Sequence, residues 1–350
     1  MKEFLKFAFV FLIAMVSTSS NGQDIHFSQF GMSNLTLNPA TTGVMTCNAR
    51  FSLVYRNQWA SVAGRYAFNT FGFGGEAKFN AGKNDFYGVG LSVWGDVAGA
   101  SQYRTIATSV SGSYMKKIGG RRANDHFLIA GVQVGFMQRS IRLTELRWGN
   151  SWNGNAYDPS LGSGEDFINQ NNIIGDLNAG IMWFSSLGPS GKSNVYAGIG
   201  FQHLTKSNVS FVTGQQEPLW TKYTIHGGGE ALIQRRLAIV SSFAVWVQGP
   251  STQLNIGGGV KFDYSKNSVS NQAFMIGAYF RGSNIVGPSF SPESIIPRIE
   301  MKFGSHRIGF AYDVNISSLM AASRGNGAFE LGYVWTLCGS TGRRLGCPTF

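Results

Sequence analysis

Charged residues are scarce in this 350-residue chain: they make up 13% of it, about half of the roughly 25% typical of soluble globular proteins. Long apolar runs are missing too, since the longest, residues 7–16, is shorter than the about 20 residues that a membrane-spanning helix needs. Disorder is excluded, because aromatic residues make up 13% of the chain. With 46 glycines and a mean hydropathy of −0.04, the composition is typical of a transmembrane β-barrel.

The N-terminus has the three-part pattern of a secretory signal peptide. Lys2 and Lys6 form a basic start, residues 7–16 are apolar, and residues 17–22 are small or polar. We expect cleavage near Gly22–Gln23, so that residues 1–22 are removed on export. A buried first helix is the less favoured alternative, because no amphipathic period follows.

Alternation of apolar and polar residues runs through the rest of the chain, as in residues 254–264 and 306–315. Because successive strand side chains point to opposite faces, each such segment is a two-faced strand. A soluble sandwich also alternates, but these segments approach the 9–11 residues of a tilted membrane strand, and their apolar faces often end in aromatic residues. We predict an all-β, antiparallel transmembrane barrel of about 14 strands over residues 50–337.

The connections support this strand count. The longest ones follow odd-numbered strands and the shorter ones follow even-numbered strands, which is the outer-membrane arrangement with both termini in the periplasm. Residues 338–350 then form a periplasmic tail. Residues 23–49 are too irregular for a spanning strand, and Pro39 and Gly43 favour turns. Phe27 and Phe30 indicate packing, so we expect a plug in the barrel, with a disordered periplasmic leader as the alternative.

Three cysteines remain after export: Cys47, Cys338 and Cys347. A local disulfide between Cys338 and Cys347 is allowed in an oxidising periplasm, and it would leave Cys47 unpaired. A metal site is not expected, because two cysteines without a nearby histidine make an incomplete set of zinc ligands.

Charged residues on the inward face of two predicted strands are candidates for a role in the lumen. They are Lys261, Asp263, Arg298, Glu300 and Lys302. Such groups line a wet channel or pair with one another in a plugged lumen. Pairing is the more common role, and it is the one we favour.

Basic residues are concentrated in the connections after even-numbered strands, notably Arg121, Arg122, Arg235 and Arg236. Attraction to anionic lipid headgroups is one explanation. The sharper hypothesis is a docking rim for an acidic periplasmic partner. A nucleic acid is not expected as a ligand of an exported barrel.

No catalytic pattern stands out. The five histidines are scattered, and no GxSxG motif is present. His203 at a strand end with a loop serine such as Ser207 could imitate the site of a barrel-rim enzyme, but a polar rim histidine is the favoured interpretation. We predict no enzymatic activity, no metal and no cofactor.

Several motifs resemble the PorP/SprF family of outer-membrane proteins associated with type IX secretion. They are QDIHFSQF at 23–30, LNPATTG at 37–43, YRNQW at 55–59, GFAYDVN at 309–315, GAFEL at 327–331 and the closing CPTF at 347–350. The family motif falls on Asn38, Pro39, Ala40, Arg56, Asn57, Gln58 and Trp59. We expect these residues to shape the barrel entrance rather than to perform chemistry.

The resemblance implies an integral outer-membrane component of the type IX system. Family members support the export and surface placement of large adhesins in gliding cells, or belong to the secretion assembly near a periplasmic ring. The expected partners are therefore outer-membrane lipid, a secreted adhesin and ring proteins. The loop with Trp148, Trp152, Tyr157 and Asp158 is the expected surface contact. The alternative is a porin or a fatty-acid-transporter-like barrel that moves small solutes, and an open lumen would distinguish it.

Overall fold

The protein is a closed barrel of fourteen antiparallel strands, in which every strand pairs with its sequence neighbours and β1 pairs with β14. The computed structural model describes residues 24–121, 124–143, 146–158, 160–164, 170–187, 193–265, 272–284 and 289–339. The predicted all-β barrel with a short N-terminal plug-like segment is confirmed. Across these residues, no helix is both long enough and apolar enough to cross a membrane.

The strands are long, as the alternation predicts. Their bounds are β1 Ala49–Gln58, β2 Phe68–Ala81, β3 Asp85–Ala98, β4 Tyr103–Arg121, β5 Asn124–Ser140, β6 Asn171–Leu187, β7 Ser193–Gln202, β8 Lys222–Gln234, β9 Leu237–Gln248, β10 Ser251–Asp263, β11 Gln272–Ser283, β12 Ser291–Phe303, β13 His306–Asn315 and β14 Asn326–Leu337. Short helices lie at Phe30–Met32, Asn34–Leu37, Pro39–Thr41, Ala60–Ala63, Gly64–Tyr66, Gly149–Ser151 and Met320–Ser323.

Each strand presents an apolar face outward and a polar face inward, the reverse of a soluble protein. In β1, Leu53 and Tyr55 are exposed on the outside, whereas Arg50, Ser52 and Arg56 are buried inside. This inversion follows from the period of two in a strand, with lipid on one face and the lumen on the other.

The two ends of the barrel differ. We call one the turn end: it carries the connections after even-numbered strands, such as residues 235–236 and 304–305, and both ends of the barrel chain. The other is the loop end, with the long connections 141–170 and 203–221. The clearest departures from this pattern are residues 264–271, a longer connection at the turn end, and residues 249–250, a short connection from β9 to β10 at the loop end.

Residues 24–48, which we call the plug, lie inside the lumen and are mostly buried. Three apolar clusters join the plug to the wall. Phe27 and Met32 pack with Val54 and Val334. The other two clusters are Phe30, Leu37, Ala244, Trp246, Tyr279, Ile296 and Ala311, and Ala40, Val44, Phe86, Met115, Phe127, Ile129, Met182, Phe184 and Tyr196. The plug therefore contacts strands around most of the lumen.

A disulfide joins Cys47, where the plug meets β1, to Cys338, the residue after β14. Their Cα atoms are 4.3 Å apart, because barrel closure pairs Ala49 with Leu337. The local bridge between Cys338 and Cys347, which the sequence allows, is thus wrong. Cys347 lies outside the described residues, as do the expected signal peptide and most of the expected tail.

Candidate functional site: the plugged lumen

A buried cluster of charges holds the N-terminal part of the plug. Arg56 of β1 and Arg281 of β11 both bind Asp313 of β13, and the Arg56 contact is 2.6 Å long. Arg56 also lies 3.4 Å from a carboxylate oxygen of Glu330 on β14. Arg281 also pairs with Glu293 of β12 at 2.9 Å, so each guanidinium group has two carboxylate partners. Such pairing matters because an uncompensated charge in a buried site is strongly destabilising.

Ser28 of the plug lies at the centre of these charges. Its hydroxyl accepts hydrogen bonds from Arg56 at 2.5 Å and Arg281 at 3.0 Å, and it donates to Asp313 at 2.7 Å. The backbone N–H groups of Ser28 and Gln29 donate to the Glu330 carboxylate at 2.7 and 2.6 Å. We call Ser28, Arg56, Arg281, Asp313 and Glu330 the Ser28 cluster. Bonds of backbone N–H groups to a carboxylate are among the stronger hydrogen bonds.

Glu76 of β2 provides a second anchor, closer to the turn end. Its carboxylate accepts hydrogen bonds from Arg50 at 2.8 Å, from the Asn34 side chain at 3.1 Å and from the Gly43 N–H at 2.6 Å. Nearby, Lys78 donates to the backbone carbonyl of Met45 at 2.5 Å. One inward carboxylate thus fixes two separate turns of the plug against the wall.

The motif residues of the plug are buried inside the lumen. The Asn38 side chain caps the short helix that starts at Pro39, by accepting from the Ala40 N–H at 2.8 Å. Its amide nitrogen donates to the Ile181 carbonyl of β6 at 3.3 Å and lies 3.0 Å from His226 Nε2. Asn38 therefore fixes both the local turn and its position in the barrel.

The YRNQW motif divides between the lumen and the loop end. Arg56 belongs to the Ser28 cluster, and Gln58 accepts a 3.2 Å hydrogen bond from it. Asn57 bonds to Asn69 at 2.7 Å. Trp59 starts the β1–β2 connection with φ of 65°, a left-handed conformation that costs energy for a non-glycine residue. Its N–H bonds to the Gly327 carbonyl at 2.9 Å.

Inward glycines make room for the plug. A Cβ added at Gly131 of β5 would stand 2.5 Å from the Pro39 carbonyl carbon, and one at Gly88 of β3 would stand 2.5 Å from the Thr42 carbonyl oxygen. Close approach of one backbone to another is a recurrent reason for glycine inside a strand. These glycines therefore serve the fit of the plug.

Asp24 begins the described chain at the loop end, where it binds His203 at 2.5 Å and Gln248 at 3.0 Å. The other ring nitrogen of His203 bonds to Asp176 at 3.0 Å. Burial opposes the positive charge on His203, but the two carboxylates outweigh it and raise its pKa to about 9. Burial likewise opposes the charge on Asp24, yet His203 holds its pKa well below the usual range.

The contacts of His203 test whether it and Ser207 resemble the site of a barrel-rim enzyme. His203 directs both ring nitrogens at carboxylates, whereas Ser207 donates to the Gly175 carbonyl at 3.0 Å. Within the described part of the chain the two residues form no hydrogen bond with each other. A nucleophile must lie within hydrogen-bond reach of its base, so this pair does not have the arrangement of a catalytic site.

Four of the five inward charges singled out by alternation line one cavity near the turn end: Lys261, Arg298, Glu300 and Lys302. Arg298 pairs with Glu300 at 2.5 Å, and Lys261 pairs with Glu230 of β8 at 2.7 Å. Asp263 does not line the cavity. Its carboxylate accepts a 3.0 Å hydrogen bond from the Ser265 N–H beyond the end of β10.

Three of the four basic residues proposed as a rim are at the turn end. Arg235 and Arg236 form the exposed turn between β8 and β9. Arg121 is the last residue of β4, and Arg122 lies outside the described residues. The aromatic residues proposed as a surface contact are at the opposite end, where Trp152 forms an isolated bridge with Tyr157 and is 58% exposed.

Several anchoring residues were not singled out from the sequence: Asp24, Ser28, Glu76, Arg281, Asp313 and Glu330. The alternating pattern does contain a signal for four of them. Each is a charged residue at an inward-facing position within a strand: Glu76, Arg281, Asp313 and Glu330. Asp24 and Ser28 lie outside any strand, so alternation does not indicate them, although both belong to the motif QDIHFSQF at 23–30.

An apolar outer face, a polar lumen and an N-terminal segment anchored inside it define a plugged transmembrane β-barrel. The chain matches the family of type IX secretion system membrane proteins PorP/SprF over residues 19–334, and it belongs to this family. It is thus a membrane component of a type IX secretion system. No curated protein matches the sequence.

Solved barrels of similar shape have very different sequences. The toluene transporter TbuX of Ralstonia pickettii is 12% identical, with 92% of this chain and 97% of that chain covered and a TM-score of 0.48. The toluene transporter TodX of Pseudomonas putida is 10% identical, with coverages of 91% and 98% and a TM-score of 0.43. A Pseudomonas aeruginosa FadL homologue is 11% identical, with coverages of 92% and 96% and a TM-score of 0.40.

Proposed function

We propose that the protein is a non-enzymatic outer-membrane component that supports the export or surface placement of large adhesins, and thereby gliding motility, through protein–protein contacts. The observation that carries this proposal is the plug, which the Ser28 cluster and Glu76 hold inside the lumen. A lumen that is occupied by an anchored segment leaves the two ends of the barrel as the surfaces for partners.

The asymmetry of the ends suggests which partner binds where. In outer-membrane barrels the short turns face the periplasm and the long loops face outward. The turn end, with exposed Arg235 and Arg236, then meets the periplasmic ring, and we propose that its partner there is acidic. The loop end, with exposed Trp152 in the connection 141–170, then meets the adhesin, because aromatic residues are enriched in protein interfaces.

The proposal is tested by extracting the tagged protein from its own outer membrane in a gentle detergent and identifying co-purifying proteins by mass spectrometry. A large exported surface protein or periplasmic ring components are expected. The double substitution Arg235→Glu and Arg236→Glu should reduce recovery of ring components while leaving the adhesin in place. The matched control is Arg142→Glu, because Arg142 is an exposed arginine at the loop end. Recovery of the barrel alone would contradict the proposal.

Transport of small solutes is the second candidate, because the loop end holds a cavity of about 570 Å³. Trp94, Tyr103, Leu219 and Trp220 are among the residues that line it, and apolar and aromatic walls are typical of small-molecule sites. Steady conductance of the wild-type protein in planar bilayers would favour this candidate, and a closed wild-type barrel would count against it.

A further inference from the structure

A second cavity opens near the turn end, between the plug and the wall formed by β7 to β13. Phe30 and Gly31 of the plug contribute to it, and Tyr196 and Tyr279 are aromatic parts of its wall. The cavity has an empty volume of about 750 Å³, including its open mouth. The centres of water molecules can occupy about 60 Å³ of this volume. This is room for roughly four to six waters, since one water needs about 10–15 Å³ on that measure.

The lining of this cavity is unbalanced in charge. Its basic residues are Lys261, Arg298, Lys302 and Arg307, and its acidic residues are Glu230 and Glu300. Lys261 is neutralised by Glu230 at 2.7 Å. Glu300 is shared between two arginines, at 2.5 Å from Arg298 and 3.8 Å from Arg307. The lining therefore has two more positive than negative charges.

Among the described residues, part of this positive charge lacks a hydrogen-bonded partner. Lys302 forms no hydrogen bond or ion pair with any residue that the structure describes. Arg298 is 94% buried, because its relative exposure is 6%, and its Nε has no hydrogen-bond partner. A buried donor without a partner costs about 1–3 kcal/mol, and more when it is charged. Groups that lack partners in this way are therefore suited to a ligand.

The strand register adds a further observation. Lys302 of β12 stands directly opposite Arg307 of β13, and like charges at opposed positions destabilise a sheet. The other cross-strand partner of Lys302 is Ala273, which also lines the cavity. This small residue leaves space beside the long cationic side chain of Lys302. An anion between Lys302 and Arg307 would turn their repulsion into attraction.

We propose that this cavity binds a small dianionic oxyanion of the phosphate class. Its two excess positive charges match a phosphate dianion, and its volume fits one phosphate group with a few atoms attached. Arginine presents donors in a planar fork that suits phosphate oxygens, and lysine binds phosphate as a point charge. The guanidinium of Arg298 lies 5.1 Å from the Tyr279 ring centre, which fixes its orientation.

The test uses the full-length barrel in dodecyl maltoside, a detergent without phosphate, with inorganic phosphate as the probe. Phosphorus NMR line broadening gives the affinity at constant ionic strength. Lys302→Gln should weaken phosphate binding about tenfold or more, the effect of losing one charge-assisted hydrogen bond. Lys302→Arg should retain binding. Lys83→Gln is the matched control, because Lys83 is an exposed residue at the same end that does not line the cavity.

A free phosphate and a lipid phosphate headgroup offer the same chemistry, and a second measurement separates them. If the source is a lipid, native mass spectrometry of the extracted wild-type protein shows one retained phospholipid that Lys302→Gln loses. If the source is a soluble phosphate, no lipid is retained and NMR broadening is seen without prior delipidation. Absence of binding in both measurements, or equal affinity of Lys302→Gln and wild type, would overturn the proposal.

Discussion

Arg56 on β1 reaches past β14 to Asp313 on β13, with 2.6 Å between guanidinium nitrogen and carboxylate oxygen. Both side chains are only 2% exposed, and Ser28 of the plug bonds to both. The ion pair therefore bridges two strands that are not neighbours and fixes the plug between them. Removal of Asp313 would leave Arg56 with the more distant Glu330, at 3.4 Å, as its carboxylate partner among the described residues, and a buried charge that loses a partner is strongly destabilising.

The substitution Asp313→Asn is expected to destabilise the barrel by about 3–5 kcal/mol, because Arg56 and Arg281 lose their shared carboxylate. The measurement is urea unfolding in lipid vesicles, followed by tryptophan fluorescence. Lys116→Gln is the control. The Lys116 side chain, which pairs with Asp85, is 60% exposed, and exposed ion pairs contribute about 0–1 kcal/mol. Equal unfolding free energies for Asp313→Asn and wild type would contradict the assigned role.

The contact between His203 and Asp24 should make the stability of the loop end depend on pH. The pKa of His203 is raised from 6.5 to about 9, so the folded state holds the proton more tightly than the unfolded state. The stabilisation is complete below pH 6.5, declines as the pH rises from 6.5 to 9, and is lost above that range.

This pH dependence is measured as the difference in thermal midpoint between wild type and His203→Gln, from pH 5.5 to 10. The difference should shrink across the stated window. Asp24→Asn should reduce the effect, because it removes the carboxylate whose charge contributes most to raising the pKa of His203. A difference that stays constant with pH would show that the proton on His203 does not contribute.

The strands could be predicted from sequence because lipid and lumen impose the same alternation on all of them. The start of β12 at Ser291 could not be predicted from this alternation. Ser291 and Pro292 do not form an apolar–polar alternation. They join the sheet by pairing with the end of β11, where the register shifts between Arg281 and Gly282.

The pairing of the lumen charges could not be predicted in the same way. Alternation indicates that Arg298 and Glu300 share a face. Arg307 joins them through its strand pairing with Lys302, and Glu230 of β8 joins them because the closed barrel surrounds one lumen. The plug contacts are harder still, since Ser28 lies in an irregular segment whose path is set by its anchors and not by any period.

The disulfide between Cys47 and Cys338 gives a covalent test of barrel closure. Peptide mapping by mass spectrometry without reduction should recover these two cysteines in one linked fragment, and Cys347→Ser should leave the link intact. A link between Cys338 and Cys347 would contradict the structure. Cys47→Ser should lower stability by about 2–5 kcal/mol, the usual cost of losing a native disulfide, because the bond closes a loop with a sequence separation of 291.

We expect that replacing an inward-facing glycine of the barrel wall with a larger residue displaces the plug. Gly131→Val should cost about 1–3 kcal/mol, the usual penalty of overpacking, because even a Cβ there would stand 2.5 Å from the Pro39 backbone. Gly112→Val on the adjacent strand β4 is the matched control, since a Cβ at Gly112 has no atom within 4 Å. Its effect should stay within about 0.5 kcal/mol.

Urea unfolding compares the two glycine variants, and limited proteolysis reports on the plug itself. Gly131→Val should expose the segment around Pro39 to cleavage while the strands remain protected, whereas Gly112→Val should be cleaved like wild type. If both variants unfold and are cleaved alike, the glycine at position 131 is a requirement of the strand and not of the plug. The difference between them isolates the fit of the plug, because both glycines lie within paired strands of the same sheet.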